Sequence, residues 1–562
     1  MRASLLAATA LLAGLLSAAP ARPQEPANAP RHPFRDVAQE AGITFRQSSA
    51  PEKKYILESM PGGLALLDYN NDDLLDIYLV DSLTVEGASD PKAARSALYK
   101  NLGGMRFADV SEEAGVAFPG WGMGACVADV DGDNWQDLFV TTVGNDRLYR
   151  NQGDGTFEDI TERAGIVTGG WSTGCGFADY DRDGDLDLFI SRYVRVDLEN
   201  LPEFGKGKFC VFRGVEVQCG PRGLPGTGDL LFRNDGQGQF EEVGGEAGVS
   251  DPDEYFGLGI AWLDANSDGW LDLFVANDAG PNFLYRNNQD GTFEEDAFPS
   301  GVAVSEDGSE QGCMGVAVGD YKNEGRFSIF VSNFSEEYNV LFKNGGDYFT
   351  DESFRSASAS TSLPFVGWGT TFFDYDNDGW MDLVVVNGHV YPQMANVKRG
   401  GSAGYKQRKL FYRNRRDGSF EEIGEQFGPV FTDHRVSRGL VLGDLDNDGR
   451  LDLVINSLDG IPQILHNELP SPGNWLLVKL EGGGKLTDGI GAIIKVKIGD
   501  QTMMRLVRSG SGYLSQEDMR QHFGLGEAAK VDSVEVLWPD GTTTVRTNVA
   551  ANQIFVVEQE AE

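Results

Sequence analysis

Asp374-Tyr375-Asp376-Asn377-Asp378-Gly379-Trp380-Met381-Asp382 runs directly into Leu383-Val384-Val385-Val386. Carboxylates at positions one, three, five and nine of this stretch repel one another unless something positive lies between them. A hard divalent cation taking about six to eight oxygen ligands meets that need, with the backbone carbonyl of position seven as a further donor. Gly379, at position six, tolerates positive φ and lets the loop fold back around an ion. The front of the loop is that of an EF-hand. It lacks the twelfth-position Glu, however, and a β-branched run stands where an exit helix would begin. The stretch predicts a strand–loop–strand calcium site.

The pattern recurs along the chain as Asp68/Asn70/Asp72/Asp76, Asp129/Asp131/Asp133/Asp137, Asp179/Asp181/Asp183/Asp187 and Asp264/Asn266/Asp268/Asp272. The opening loop, with ligands Asp374, Asp376, Asp378 and Asp382, is the sixth copy, and Asp444/Asp446/Asp448/Asp452 closes the series. In the fifth copy Asp320 is followed by Lys322, Glu324 and Ser328 at the ligand positions. That loop is expected to bind no metal, with the Lys322 ammonium partly filling the cation's place. Position six is Asp73 in the first loop and Asn134 in the second, types that tolerate a left-handed backbone, and these two sites are read as weaker. About six calcium ions per chain are expected.

A glycine stands five residues before each loop's first Asp: Gly63, Gly124, Gly174, Gly259, Gly315, Gly369 and Gly439. The fifth copy keeps it, so this glycine serves the architecture and not the metal. After each loop come an apolar run and a module such as Leu148-Tyr149-Arg150-Asn151-Gln152-Gly153-Asp154-Gly155-Thr156-Phe157, whose Asp-Gly is a hairpin signal. Each unit is thus four short strands, and first-Asp spacings run from 50 to 85 residues. Four-stranded repeats of about 40–50 residues are propeller blades. The fold class expected is all-β: a seven-bladed β-propeller followed by a small C-terminal β-sandwich domain.

Phe34-Arg35-Asp36-Val37-Ala38-Gln39-Glu40-Ala41-Gly42-Ile43 matches the outer-strand ending of a blade, and the seventh blade lacks that ending. The N-terminal segment is therefore expected to supply the last outer strand and close the ring, removing an exposed edge. Residues 1–21 read as a secretory signal cleaved after about Ala21, and 22–32 as a Pro/Ala-rich linker. The propeller is placed at 33–468 and the second domain at 473–562. The leader's apolar run is too short to span a bilayer, and no other stretch reaches that length. The chain is expected to be secreted or periplasmic, where calcium is plentiful enough for weak sites. A net charge of −39 over 562 residues argues against a nucleic-acid partner. With 41% apolar and 10% aromatic residues, an acidic disordered chain is excluded.

Cys210 and Cys219 bracket a ten-residue stretch within an insertion at about 192–229 and read as a hairpin pinned by a disulfide. Cys126, Cys175 and Cys313 read as buried free thiols on inner strands. A second insertion at about 391–409 carries Lys398, Arg399, Lys406, Arg408 and Lys409, and reads as a solvated surface loop.

The repeats resemble the FG-GAP/VCBS repeats of integrin α-subunit propellers. Ser509-Gly510-Ser511-Gly512-Tyr513-Leu514-Ser515-Gln516, His522-Phe523-Gly524-Leu525-Gly526 and Trp538-Pro539-Asp540-Gly541 resemble the ASPIC/UnbV domain. Together they look like the cartilage acidic protein family, and Cys210/Cys219 before Gly220-Pro221-Arg222-Gly223 is similar to its bacterial members. The resemblance implies secretion, calcium binding, and adhesion or scaffolding, with no defined reaction.

A catalytic site does not emerge from the sequence. The five histidines, at 32, 389, 434, 466 and 522, lie in no metal-ligand spacing, and no nucleophile elbow or phosphate loop is present. His389, His434, Arg435 and Arg438 could gather at one mouth of the channel, though satisfied structural polar residues are the blander reading. The function expected is a secreted calcium-binding propeller acting as an adhesion, scaffold or ligand-binding module for an extracellular protein or glycan. The alternative is a calcium-dependent lectin or a polysaccharide-active enzyme, which would need one unrepeated acid–base pair on one face.

Overall fold

The computed structural model describes residues 32–560, except 51, 91–92, 397–402 and 471. The leader at 1–21 and the linker up to residue 31 lie outside the described residues, as do Lys398 and Arg399.

The second blade shows how a repeat folds. Gly122–Ala128 leads into the Asp129 loop, Asp137–Thr142 returns beside it, and Arg147–Asn151 and Phe157–Asp159 complete an antiparallel four-stranded sheet. The two inner strands are buried throughout, whereas the outer strand buries Phe157 and exposes Glu158 and Asp159. Among the described residues seven such sheets occur, the fourth and fifth joined where Asp278 pairs with Gly312. Their innermost strands adjoin one another in sequence, and Ser437–Gly443 adjoins Leu64–Leu67, so the sheets form a closed β-propeller ring. Phe34–Asp36 is the outer strand of the last sheet, with Phe34 opposite Asn467 and Asp36 opposite Leu465.

The ring is also latched by one asparagine per blade. Asn151 Nδ2 donates to Tyr69 O of the preceding blade at 2.8 Å. Asn234, Asn287, Asn344, Asn414 and Asn467 make the same bond to Val130, Tyr180, Ala265, Tyr321 and Tyr375, at 2.8 to 3.1 Å. Asn101 closes the circle on Leu445 O at 2.8 Å. These asparagines were visible only as part of the hairpin module; the recurring Arg-Asn or Lys-Asn before each turn was the signal.

The C-terminal domain has two layers. Asn474–Glu481, Gln521–Gly526 and Ile554–Glu558 form one sheet; Ile493–Ile498, Gln501–Leu506, Lys530–Leu537 and Thr543–Ala550 form the other. Leu476, Val478, Ile494, Val496, Val534, Val536 and Trp538 are buried in its core. Between Leu506 and Gln521 the chain leaves the sandwich and enters the propeller, where residues 509–516 are all buried. Ser509 Oγ donates to Val127 O at 2.8 Å, Gly512 and Val316 exchange main-chain bonds at 2.9 and 3.1 Å, and Gln516 does the same with Leu64 and Leu66 at 2.9 Å. Tyr513 Oη reaches Met60 O at 2.7 Å. This loop plugs the centre of the ring.

The inner-strand glycines now have a measurable reason. A Cβ on Gly63 would lie 2.2 Å from Leu514 O of the plug, and one on Gly176 would lie 2.5 Å from Ser509 O. On Gly174 and Gly315 it would meet the next blade's Leu258 O and Trp368 O at 2.3 and 2.2 Å.

One cysteine reading is corrected. Cys126 and Cys175, read as free thiols, form a disulfide between the inner strands of the second and third blades, with Cα atoms 5.9 Å apart. Those strands lie side by side, so cysteines 49 residues apart in sequence meet. Cys210 and Cys219 are bonded across the hairpin of Val211–Phe212 and Val215–Glu216, and Cys313 is free and buried.

Gly315→Ala is expected to lower the urea midpoint by the equivalent of about 1–3 kcal/mol, the usual cost of overpacking. Gly245→Ala, which meets nothing within 4 Å, should stay within about 0.5 kcal/mol of the parent. Removing the plug's anchor with Tyr513→Ala should cost about 3–5 kcal/mol on the same measurement.

Candidate metal loops and the open mouth of the propeller

Each acidic loop joins the first and second strands of a blade, so strand reversal sets it at one end of the ring with the third-to-fourth turn. The other connections, including both insertions, lie at the opposite end. In the sixth loop Asp374 accepts the N–H groups of Asp378 and Gly379 at 3.0 and 2.7 Å, so the first carboxylate also organises the turn. The same pair of bonds is made by Asp68, Asp129, Asp264, Asp320 and Asp444. The ninth-position carboxylate accepts the N–H of the latch asparagine, as Asp382 does from Asn414 at 2.7 Å, Asp137 from Asn151 at 2.7 Å and Asp76 from Asn101 at 2.7 Å. Positive φ occurs at position four, Asn377 (58°), as well as at Gly379 (86°).

Position three is different. Asn70 Oδ1, Asp131 Oδ1, Asp376 Oδ1 and Asp446 Oδ1 are buried and have no hydrogen-bond partner. Four loops thus aim an orphaned oxygen inward from the same place, which fits an oxygen-seeking cation. Three clusters bring carboxylate oxygens within 4.8 Å of one another: Asp129/Asp131/Asp137, Asp179/Asp181/Asp187 and Asp374/Asp376/Asp382. In the last loop Asp444/Asp446/Asp448 do so, and so do Asp446, Asp452 and His466. These clusters could hold a metal ion. Burial, and then the neighbouring like charges, push Asp179 up to about 7 and Asp376 to about 6. Asp382 is driven well above the ordinary carboxylate range by the same causes.

Position five is held differently from positions one, three and nine. Asp72, Asp133 and Asp268 stand in none of these clusters, and neither do Asp183 and Asp378; Asp448 alone of the position-five residues joins one among the described residues. The reason is that these side chains are spent on their own loops. Asp72 Oδ1 accepts the Leu74 N–H at 3.1 Å, and its Oδ2 takes Asn70 Nδ2 at 2.9 Å and faces Lys100 at 3.6 Å. Asp133 Oδ1 accepts the Trp135 N–H at 3.0 Å, and its Oδ2 pairs with Arg150 at 3.1 Å. Asp268 Oδ1 accepts the Trp270 N–H at 2.9 Å, while its Oδ2 takes Asn266 Nδ2 at 3.0 Å and Gln289 Nε2 at 3.1 Å. Position five thus accepts an amide N–H from its own loop or the third-strand turn, or pairs with a basic side chain of the third strand. Alternation along the sequence gave no sign of it.

No cluster of three acidic groups forms among the described residues of the first and fourth loops, where position three is Asn70 or Asn266. In the fourth loop Arg286 also pairs with Asp272 at 3.1 Å. The fifth loop keeps the turn, with Ser328 Oγ accepting the latch N–H at 3.2 Å, while Lys322 and Lys343 both pair with Glu324 at 2.8 and 3.2 Å. His466 was missed as a member of a candidate cluster because spacing along the chain says nothing about it. The third strand returns past the loop and sets its Nδ1 3.0 Å from Asp452 Oδ1.

The C-terminal domain sits on this end. Thr487 Oγ1 donates to Asp129, Asp488 accepts the Asp129 N–H at 3.0 Å, and Asn377 O accepts the Gly526 N–H at 2.8 Å. Lys479 pairs with Asp73 at 2.7 Å and Lys485 with Asp185 at 2.8 Å.

At the other end, the disulfide-pinned hairpin leans over the channel mouth. Phe212 lies 5.6, 5.5 and 5.5 Å from the rings of Phe334, His389 and Tyr391. His389 is buried, pushed down to about 3 by burial and by Arg438 and Arg213, and its Nε2 has no partner. Arg438 lies 3.9 Å over Trp368, whose other neighbour is Tyr513 at 4.7 Å. His434 is exposed and Arg435 is taken by Asp433 at 2.6 Å, so His389 and Arg438 meet while those two do not join them. In the second insertion Lys406 pairs with Asp459 at 2.8 Å, Arg408 pairs with Glu422 at 3.0 Å, and Lys409 is buried. Beside the mouth, Tyr193 Oη donates to Asp278 at 2.5 Å, and Glu337 accepts the Gly312 N–H at 2.6 Å. Burial pushes Asp278 up to about 6 and Glu337 to about 7, the latter with Asp278's charge added.

The family model described as ASPIC and UnbV matches residues 482–562, and the FG-GAP-like repeat model matches 68–140, 129–190, 264–331 and 402–455. Cartilage acidic protein 1 of Homo sapiens is 29% identical over 323 residues, 56% of this chain and 45% of that protein. The Xenopus tropicalis protein of that name is 29% identical over 307 residues, 53% of this chain and 44% of its own length. The chain thus spans less than half the length of these curated relatives in alignment. Among solved structures, an Agrocybe aegerita lectin that recognises non-reducing terminal N-acetylglucosamine is 16% identical, with a TM-score of 0.37 over 73% of this chain and 92% of its own. Trypanosoma rangeli sialidase is 10% identical, with a TM-score of 0.35 over 77% of this chain and 59% of its own. Likenesses this loose carry no functional information. Among the described residues no helix is long and apolar enough to cross a membrane.

Asp278 and Glu337 have folded-state pKa values raised above the unfolded values of about 4. Their contribution is therefore complete below about pH 4 and is lost as pH rises through about 6 to 7. Glu337→Gln keeps an acceptor for Gly312. It should flatten the fall in thermal midpoint between pH 5 and 8 by at least about 2 °C relative to the parent; parallel profiles would show that Glu337 does not carry the effect.

Proposed function

We propose that this chain, which carries FG-GAP-like repeats and an ASPIC/UnbV domain, is an exported, calcium-loaded propeller that binds an extracellular protein or glycan. The observation that supports calcium most directly is the set of orphaned oxygens at position three of four loops. The proposed ligands are the carboxylates and amides at positions one, three, five and nine of the six intact loops. Asp72, Asp133 and Asp268 enter that set by exchanging their present amide or basic partners for the ion. The fifth loop, with Lys322 at position three, takes no ion. Calcium held by folded loops and not by unfolded chain stabilises the ring by mass action. Two disulfides, Cys126–Cys175 and Cys210–Cys219, fit an oxidising compartment.

The ligand-binding end in this proposal is the mouth away from the C-terminal domain. The loop end is already covered, and the first insertion at the mouth exposes Leu198, Phe209 and Val211. A second reading, a calcium-dependent lectin or polysaccharide-active enzyme, is favoured by Asp278 and Glu337, an acidic pair that the other blades do not repeat.

Thermal unfolding of residues 22–562 with calcium and with chelator tests the proposal. A loss of midpoint of about 10 °C or more under chelation, the scale expected for several saturated sites, with about six ions per chain by native mass spectrometry, is the expected result. No shift and no bound ion would overturn the calcium reading. A glycan array on the loaded protein then separates sugar from protein ligands.

A further inference from the structure

Between the third and fourth blades, at the mouth end, lies an acidic pair outside every Asp-rich loop. Asp229 precedes the strand Leu230–Asn234 and is 3% exposed; Asp251 precedes Gly257–Leu263 and is 2% exposed. Asp229 Oδ1 accepts the Arg192 N–H at 2.7 Å, and Asp251 Oδ2 accepts the Tyr255 N–H at 2.6 Å. Each keeps one oxygen, Asp229 Oδ2 and Asp251 Oδ1, that is buried without a partner, and Thr227 Oγ1 is a third such oxygen two residues from Asp229. The two segments touch: a Cβ on Gly228 would lie 2.4 Å from Ser250 O and 2.9 Å from Asp251 O.

Neighbouring blades show what this position normally does. In the second blade Asp146 accepts the Thr142 N–H at 2.7 Å, and its other oxygen accepts Ser172 Oγ at 2.7 Å. In the fourth blade Asn282 Oδ1 accepts the Asn277 N–H at 3.1 Å, and its Nδ2 donates to Val302 O at 3.1 Å. The third blade has a carboxylate oxygen where the fourth has a donor, and no hydroxyl answers it. Arg192 lends Asp229 part of its charge, but its Nη2 donates to Gly169 O at 2.6 Å and its bond to Asp229 is through the main-chain N–H. Two buried carboxylates close enough to repel each other are costly unless a positive charge lies between them.

We propose that Asp229 and Asp251, with nearby main-chain carbonyl and hydroxyl oxygens, bind a further calcium ion that ties the third blade to the fourth. The donors are all oxygen, which selects a hard cation over zinc or copper. Burial and then the Asp229 to Asp251 repulsion raise Asp229 well above the carboxylate range, and Asp251 rises to about 6 chiefly through burial. Calcium loading displaces those protons. The site is independent of the six loops.

Native mass spectrometry in calcium, with thermal unfolding of the same samples, tests it on the full exported chain. Asp229→Asn folds in the geometry Asn282 already uses, and Asp251→Asn is a second probe of the same ion. Each is expected to bind one ion fewer than the parent and to lose part of the calcium-dependent gain in midpoint, while its midpoint in chelator is equal or higher. Asp374→Asn reports on a loop alone, and Asp229→Asn combined with Asp374→Asn should bind two ions fewer. If Asp229→Asn and Asp251→Asn keep the parental ion count, the proposal is overturned and the pair shares a proton. If Asp374→Asn alone keeps that count, the loop assignment fails without touching this site.

Discussion

Only main chain fits at the centre of the ring, and that limit of space governs the rest of the structure. Inner strands approach one another and the plug so closely that a methyl group at Gly63, Gly174 or Gly315 would sit within 2.3 Å of a carbonyl oxygen. The plug answers the complementary problem. A ring of strands leaves inward-facing N–H and C=O groups without partners, and a buried unpaired group costs about as much as a lost hydrogen bond. Leu64, Leu66, Ala125 and Val316 find theirs on residues 512–516 of the C-terminal domain. The two domains are therefore one hydrogen-bonded unit and not beads on a linker.

Crowding at the centre forces the polar chemistry outward to the ends of the strands. At one end, the first Asp of each loop holds the turn and the ninth holds the latch asparagine, which in turn holds the preceding blade. A single acidic loop thus links local backbone, blade-to-blade contact and a candidate cation site. The C-terminal domain rests on the same loops through Thr487, Asp488, Gly526 and Lys479. A cation held there would share atoms with the domain contact, Asp129 above all.

The other end, reached from that domain by the plug's Tyr513, carries what the repeats do not. A hairpin held by Cys210–Cys219 lays Phe212 against His389 and Tyr391, and the Tyr193, Asp278 and Glu337 group has no counterpart among the described residues of the ring. These unrepeated features at the mouth are why the functional proposal is placed there.

Much of this was legible in the sequence because it is written locally. Alternating carboxylates, the preceding glycine and the Asp-Gly hairpins each act within a dozen residues, so their repetition set out the β-propeller, the damaged fifth loop and the separate β-sandwich. The matching of Phe34-Arg35-Asp36 to other outer strands carried even a long-range pairing, since a repeat exposes what is missing from its last copy. What spacing could not contain, the tertiary structure decided. Cys126 meets Cys175 because adjacent blades align their inner strands. His466 reaches Asp452, and Arg150 draws Asp133 aside, because the third strand returns past the loop. Asp229 faces Asp251 because two connections converge between blades. The entry of Ser509–Gln516 into the channel is the largest such case. Nothing in those eight residues indicates a destination, because their partners lie on the inner strands of different blades, which only the closed ring brings to one axis.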